Sequence, residues 1–169
     1  MSSRGPLSLA LVGFMGSGKT IVGALVAQRS HAGFHDLDMM VEDHAGMAIS
    51  DIFALRSEDV FRAIESELLP KALEPGAVVA LGGGTTMDDG NWRLIRSRAT
   101  TVYLEVSMDT IWSRIGNRAG RPLAAGRSRA ELQELLDGRI SRYEESDHTV
   151  DGNRDLDSVA GEVMRIWSA

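Results

Sequence analysis

Gly13-Phe14-Met15-Gly16-Ser17-Gly18-Lys19-Thr20 is the stretch on which the reading of this chain turns. It satisfies the pattern GxxxxGK[ST] at every fixed position, and its flanks are those that the pattern requires. Leu7 to Val12 before it is a short continuous apolar run, as expected of a buried parallel strand. Lys19 to Arg29 after it carries apolar residues at 21, 22, 25 and 26, one face of a helix. In such a strand–loop–helix unit, glycines let successive backbone N–H groups turn toward phosphate oxygens and the helix directs its positive end at them. Lys19 then reaches the terminal phosphates and Thr20 can ligate Mg²⁺. A glycine-rich turn with an incidental lysine would explain the glycines alone, but not the joint pattern and its context.

Working outward, strand and helix signals alternate. Phe34 to Asp38 reads as a second strand, and Val41 to Leu73 as helical, with Ile52, Phe53, Phe61, Ile64, Leu68 and Leu69 spaced for one face before Pro75-Gly76. Ala77 to Leu81 is a third strand, stopped by Gly82-Gly83-Gly84. Trp92 to Arg96 predicts a short helix and Thr101 to Val106 a fourth strand. Ile111 to Arg118 is helical, Ala119 to Ser128 a Gly/Arg/Pro loop, and Ala130 to Glu145 helical again. Thr149 to Asp151 and Leu156 to Trp167 close the chain as a strand and a helix. The expected fold is α/β, a three-layer α/β/α sandwich around a central parallel sheet of about five strands. Ligands of such sheets sit at the carboxyl ends of the strands. Gly13 onward, Asp36 with Asp38, and Gly82 to Gly84 therefore fall on one rim.

Size and composition narrow the function. The 169 residues fit one domain, 1–169, with 43% hydrophobic and 25% charged residues, ordinary for a globular protein. No apolar run approaches the ~18 residues of a membrane helix or the form of a signal peptide, so a cytoplasmic protein is expected. Zero cysteines excludes disulfides, thiolate metal sites and cysteine nucleophiles. The net charge of −6 argues against a nucleic-acid binder working through backbone phosphates. The basic residues are 16 Arg and only two Lys, Lys19 and Lys71. Seven of those arginines (114, 118, 121, 127, 129, 139, 142) lie between Arg114 and Arg142 against three acids, Glu131, Glu134 and Asp137. A local charge of +4 in an acidic chain suggests an anionic small ligand. The guanine-reading NKxD is absent, and Asp43 to Gly46, although it reads DxxG, lies in a helical segment. What remains is mainly the small kinases.

Two further groups carry chemistry. Asp36 and Asp38, two apart, would share one side of a strand. One could hold Mg²⁺ through its water shell while the other faces an acceptor hydroxyl. Arg62 and Glu65 are three apart on a helix, a guanidinium pinned by a carboxylate and so preorganised for a planar anion. Each pair alone is also what a solvated surface would show.

Taken together, Gly13 to Thr20, Asp36-Leu37-Asp38, Ile52-Phe53, Phe61-Arg62-x-x-Glu65, Gly82-Gly83-Gly84, Arg121-Pro122-Leu123 and Arg139-x-x-x-Tyr143 resemble the shikimate kinases in order and spacing over nearly the whole chain. The resemblance implies a P-loop, nucleoside monophosphate kinase-like fold with a mobile lid at about 117–128 and a shikimate-binding helical segment at about 39–73. It implies transfer of the γ-phosphoryl of ATP, with Mg²⁺, to the 3-hydroxyl of shikimate. Catalytic roles fall on Lys19, Asp38 and Arg121. Gly13, Met15, Gly16, Ser17, Gly18, Lys19, Thr20, Arg114 and Arg121 would bind nucleotide, with Arg114 along the adenine. Asp38, Arg62, Gly82, Gly83, Gly84 and Arg139 would bind shikimate, the two arginines on its carboxylate, and Thr20 and Asp36 would serve the metal. Partners beyond shikimate and ATP, whether nucleic acid or membrane, are not expected, and the chain is expected to be a monomer. Ser57, Ala124 and Ser141 depart from the family's usual Gly, Leu and Pro. The segment Ser146 to Val150 is about one residue short, and a proline that often borders the adenine is missing after Gly152. Another small-metabolite or nucleotide kinase on the same scaffold, and an ATP-binding regulatory protein without turnover, are the competing readings.

Overall fold

Ser8 to Val12 has no exposed residue on either face, which only the middle of a sheet covered on both sides provides. In the computed structural model, which describes residues 6–115 and 126–169, this strand is β1 (Ser8–Val12) and it is central. The other strands are β2 (Phe34–Asp36), β3 (Val78–Ala80), β4 (Ala99–Glu105) and β5 (His148–Asp151). All pair parallel, in the order β2-β3-β1-β4-β5. Leu9 and Leu11 face one apolar layer, filled from α1 (Lys19–Ser30) and α8 (Leu156–Ser168) by Val22, Val26, Val159 and Val163. Ala10 and Val12 face the other, larger layer. It is supplied by α2 (Leu37–Ala45), α3 (Ile49–Leu55), α4 (Glu58–Ala72), α5 (Asp89–Arg98), α6 (Met108–Ile115) and α7 (Arg129–Tyr143). The three-layer parallel architecture is as the sequence pattern predicts.

One local expectation fails. The second strand ends at Asp36 rather than Asp38, because Asp36 caps α2: its Oδ1 accepts from the Met39 amide at 3.1 Å. A short side chain that can satisfy an otherwise orphaned helix amide starts a helix in preference to extending a strand. The segment from Val41 to Leu73 is helical as expected, but it is divided among α2, α3 and α4. Gly46 ends α2 in the left-handed conformation (φ 66°), and Ser57 starts α4 by accepting from the Val60 amide at 3.1 Å. Ser57 is the residue that departs from the family's glycine, and its hydroxyl has this use. Ser141 lies exposed within α7, where it retains the amide that a proline would remove. The short connection before β5 is tied to β4 by Asp147, whose carboxylate accepts from both the amide and the hydroxyl of Thr101, each at 2.8 Å.

The capping box at Ser128 and Glu131 fixes the start of α7. Most of the expected lid, and with it Arg121, Arg118 and Ala124, lies outside the described residues. Among those described, no helix is long and apolar enough to cross a membrane.

Candidate active site

The carboxyl ends of β1, β2 and β3 open into a cavity of about 520 Å³. On the β1 side, Gly16 (φ 75°) and Gly18 (φ 96°) hold left-handed conformations that only glycine adopts freely. The loop therefore turns around the start of α1. Lys19, buried at the cavity wall, donates to the carbonyls of Gly13 (2.8 Å) and Phe14 (2.9 Å). Its ammonium is thus held at the loop's own rim, within the cavity. Arg114, from α6, donates to the Gly16 carbonyl (3.1 Å) and to the Gly152 carbonyl (3.2 Å), joining the loop to the segment before α8. Leu156, at the start of α8, packs against Gly18 and lines the same end. Nothing in the sequence marked it, since an apolar first residue of a helix reads as core.

Asp36 and Asp38 meet at the β2 end, but not as two residues of one strand face. Asp36 spends one oxygen on the α2 cap, and its other oxygen accepts from the Thr20 hydroxyl at 2.5 Å. A hydroxyl and one carboxylate in contact beside a phosphate loop suit a hard dication that keeps part of its water and takes further oxygens from phosphates. Asp38 sits in the first turn of α2, lining the cavity and otherwise surrounded by protein. Burial is the main cause that raises its pKa from 3.8 to about 6; Asp36 and Glu65 add to the rise, while Lys19 and Arg62 oppose it. A carboxylate in that range is ionised at neutral pH, yet a better proton acceptor than an ordinary aspartate.

The β3 end is built around a buried acid. Glu65, 1% exposed, accepts from Arg62 at 2.9 Å through Oε1 and from the Thr85 hydroxyl at 2.7 Å through Oε2. Thr85 is itself held through its carbonyl by Asn91, at 3.3 Å. Arg62 is therefore pinned from below by a carboxylate with both oxygens engaged, while its outer edge lines the cavity. The sequence marked Arg62 and Glu65 but not Thr85 or Asn91, whose polar side chains follow a turn and carry no periodic signal. At two of the three glycines a side chain would collide with the site's own groups. A Cβ on Gly82 would lie 2.8 Å from Glu65 Oε2 and 3.0 Å from Asp38 Oδ1, and one on Gly84 would lie 2.5 Å from Arg62. Across the cavity Arg139, from α7, is only 7% exposed; its Nη1 is buried without a hydrogen-bond partner, and its guanidinium stands 5.7 Å from the Phe14 ring centroid.

Of the positions singled out in the sequence, Met15, Gly16, Gly18, Lys19, Thr20, Asp36, Asp38, Arg62, Gly82, Gly83, Gly84, Arg114 and Arg139 all line this one cavity. Gly13 and Ser17 stand behind it, Gly13 offering its carbonyl to Lys19 and Ser17 buried. Arg129 and Arg142, left without a role by the sequence, pair with Asp109 and Asp89. Arg142 also lies 5.9 Å from the Trp92 ring centroid.

A parallel sheet with a phosphate loop at its central strand, and acid and guanidinium groups gathered at the same rim, defines a P-loop α/β fold of the nucleoside monophosphate kinase-like kind. Residues 15–167 match the family model described as shikimate kinase. A shikimate kinase of Moorella thermoacetica is 37% identical, over 97% of this chain and 96% of the relative. One of Salinibacter ruber is 35% identical, over 97% and 86%. The structure of an Acinetobacter baumannii shikimate kinase in complex with shikimate superposes with a TM-score of 0.91 at 28% identity, covering 95% of this chain and 92% of that one. The chain belongs to the shikimate kinase family.

Proposed function

We propose that this chain transfers the γ-phosphoryl group of ATP to the 3-hydroxyl of shikimate, giving shikimate 3-phosphate and ADP. One observation carries the acceptor: Arg139 keeps a buried guanidinium nitrogen without a partner, in a cavity it shares with Arg62 and the glycines at 82–84. A buried donor left unsatisfied is costly, on the order of 1–3 kcal/mol. A carboxylate on a small polyol, held between two guanidinium groups, relieves that cost and leaves the hydroxyls toward Asp38.

Phosphoryl transfer needs positioning and charge neutralisation more than covalent chemistry. The glycine amides and Lys19 bind the triphosphate; Arg114 and Leu156 border the adenine. Thr20 and Asp36 would hold Mg²⁺, which when bound neutralises phosphate charge. Asp38 receives the acceptor hydroxyl and takes its proton as the bond to phosphorus forms. Arg121, outside the described residues, has the charge-neutralising part that the resemblance gives it. The helical segment 39–73 supplies Arg62 and the apolar wall at Phe53 and Phe61. The chain works as a monomer in the cytoplasm.

The test is ADP release by the purified chain with Mg²⁺ and ATP, comparing shikimate with gluconate and with nucleoside monophosphates. Release with shikimate alone is expected. Release with another acceptor and none with shikimate would move the chain to a different small-molecule kinase. ATP binding without release on any acceptor would make it a regulatory ATP-binding protein.

A further inference from the structure

The last turn of α7 buries a polar group that the reaction as described does not use. Tyr143 is fully buried; its ring lies 5.3 Å from that of Tyr103, tilted by 37°, and its hydroxyl donates to the Gly83 carbonyl at 2.5 Å. The acceptor is on the glycine loop of the site itself, sixty residues away in the chain. Tyr143 also follows Arg139 by four residues, so both leave the same face of α7. Burial raises the phenol pKa above its ordinary value, with Arg139 and then Arg62 acting against the rise, and the hydroxyl keeps its proton as a donor at neutral pH.

Gly83 is where the two halves of the site touch. A Cβ there would lie 3.3 Å from Arg139 Nη1, 3.5 Å from the Met15 amide and 3.6 Å from the Gly13 carbonyl. None of the described peptide bonds is cis. In a planar trans peptide the Gly83 carbonyl and the Gly84 N–H point in opposite directions. The carbonyl faces Tyr143, which stands behind the wall, whereas Gly83 and Gly84 line the cavity. Holding the carbonyl back therefore turns the Gly84 N–H forward.

We propose that Tyr143 is a positioning residue for the acceptor: its hydroxyl fixes the Gly83–Gly84 peptide and, from the same helix face, the seat of Arg139, so that both donors meet the shikimate carboxylate together. This rests on the shikimate reading given above. A preorganised pair loses less freedom when the ligand binds, and so contributes affinity without touching the ligand.

The experiment compares wild type with Tyr143→Phe, which keeps the ring and removes only the hydroxyl, using shikimate and its methyl ester as acceptors. Loss of one such hydrogen bond should raise the KM for shikimate about tenfold and leave that for ATP within about twofold. The preference for the acid over the ester, as a ratio of kcat/KM, should shrink about fivefold by the same logic. Tyr103→Phe should leave these values at wild-type levels. If Tyr143→Phe raises both KM values together, or leaves the acid-to-ester preference unchanged, Tyr143 only packs and the inference fails. If Tyr143→Phe does not fold, the Tyr103→Phe chain, whose single tyrosine is Tyr143, is grown on 3-fluorotyrosine. A changed shikimate KM with an unchanged ATP KM then supports the inference, and no change in either overturns it. A wild type inactive on shikimate would remove the functional reading and this inference with it. An active wild type matched by Tyr143→Phe would remove only the inference.

Discussion

At the scale of single residues the site is arranged against stability. Asp38 is held among carboxylates and partly removed from water, and its pKa of about 6 records the strain. Unfolding returns the group to its ordinary 3.8, so the folded chain binds its proton more tightly than the unfolded chain does. The resulting penalty is fully present above about pH 6, and it disappears as the pH falls through 6 toward 3.8. The cavity wets one side of Asp38, so a penalty of about 1–2 kcal/mol is expected rather than the full value of the shift. Asp38→Asn should therefore stabilise the ligand-free chain by about that amount at pH 8, and by little at pH 4. Its turnover should fall by about two to three orders of magnitude for want of a proton acceptor. Urea unfolding of both chains at the two pH values, beside the ADP-release assay, checks both halves. Equal stabilisation at both pH values would mean that the carboxylate charge is not the cause.

At the scale of elements, caps decide where chemistry is placed. Asp36 and Ser57 each begin a helix, and each thereby aims a neighbour: Asp38 lies in the first turn of α2, and Arg62 and Glu65 on α4. Ser57→Ala should cost about 1 kcal/mol of stability, and Ser57→Gly only a few tenths, because glycine at a cap leaves the amide open to water. Denaturant midpoints of the three chains measure the order; a glycine variant weaker than the alanine variant would contradict the capping role. These same positions mark the limit of what the sequence carries. The phosphate loop, Arg62–Glu65 and the glycine run were legible because each needs fixed residue types at fixed spacing. Asp36-Leu37-Asp38 was legible as a pair of acids but not as a helix start. An acid that follows a short apolar run fits a strand end and a cap equally well, and only the Met39 amide decides between them. Thr85 and the hydroxyl of Tyr143 act through contacts twenty and sixty residues distant in sequence, which no local pattern encodes, and Asn91 acts only by holding Thr85.

At the scale of the molecule, the parts that hold the fold differ from those that hold the ligand. Two apolar layers flank the sheet, and the alternation of elements predicts them; the strand order, with β3 between β2 and β1, follows from how the crossovers pack and could not be read in advance. Among the described residues, the ion pairs join side chains at the surface, apart from Arg62 with the buried Glu65. Such exposed pairs are worth about 0–1 kcal/mol each and are screened by salt. The net charge of −6 likewise says little of a cavity lined by Lys19, Arg62, Arg114 and Arg139 beside Asp36, Asp38, Glu42 and Glu65. Fold and binding should then answer differently to ionic strength. Raising NaCl from about 0.05 M to about 0.5 M shortens the screening length roughly threefold. The melting temperature should move by less than about 4 °C, the equivalent of roughly 1 kcal/mol for a chain of this size. The KM for shikimate should rise about threefold, the rise being modest because the buried Arg139 is screened less than Arg62. Thermal melts and the ADP-release assay over one salt series separate the two responses. A drop in melting temperature of about 10 °C would assign several kcal/mol of stability to the surface pairs. A KM indifferent to salt would show that the two arginines do not read the charge of the acceptor.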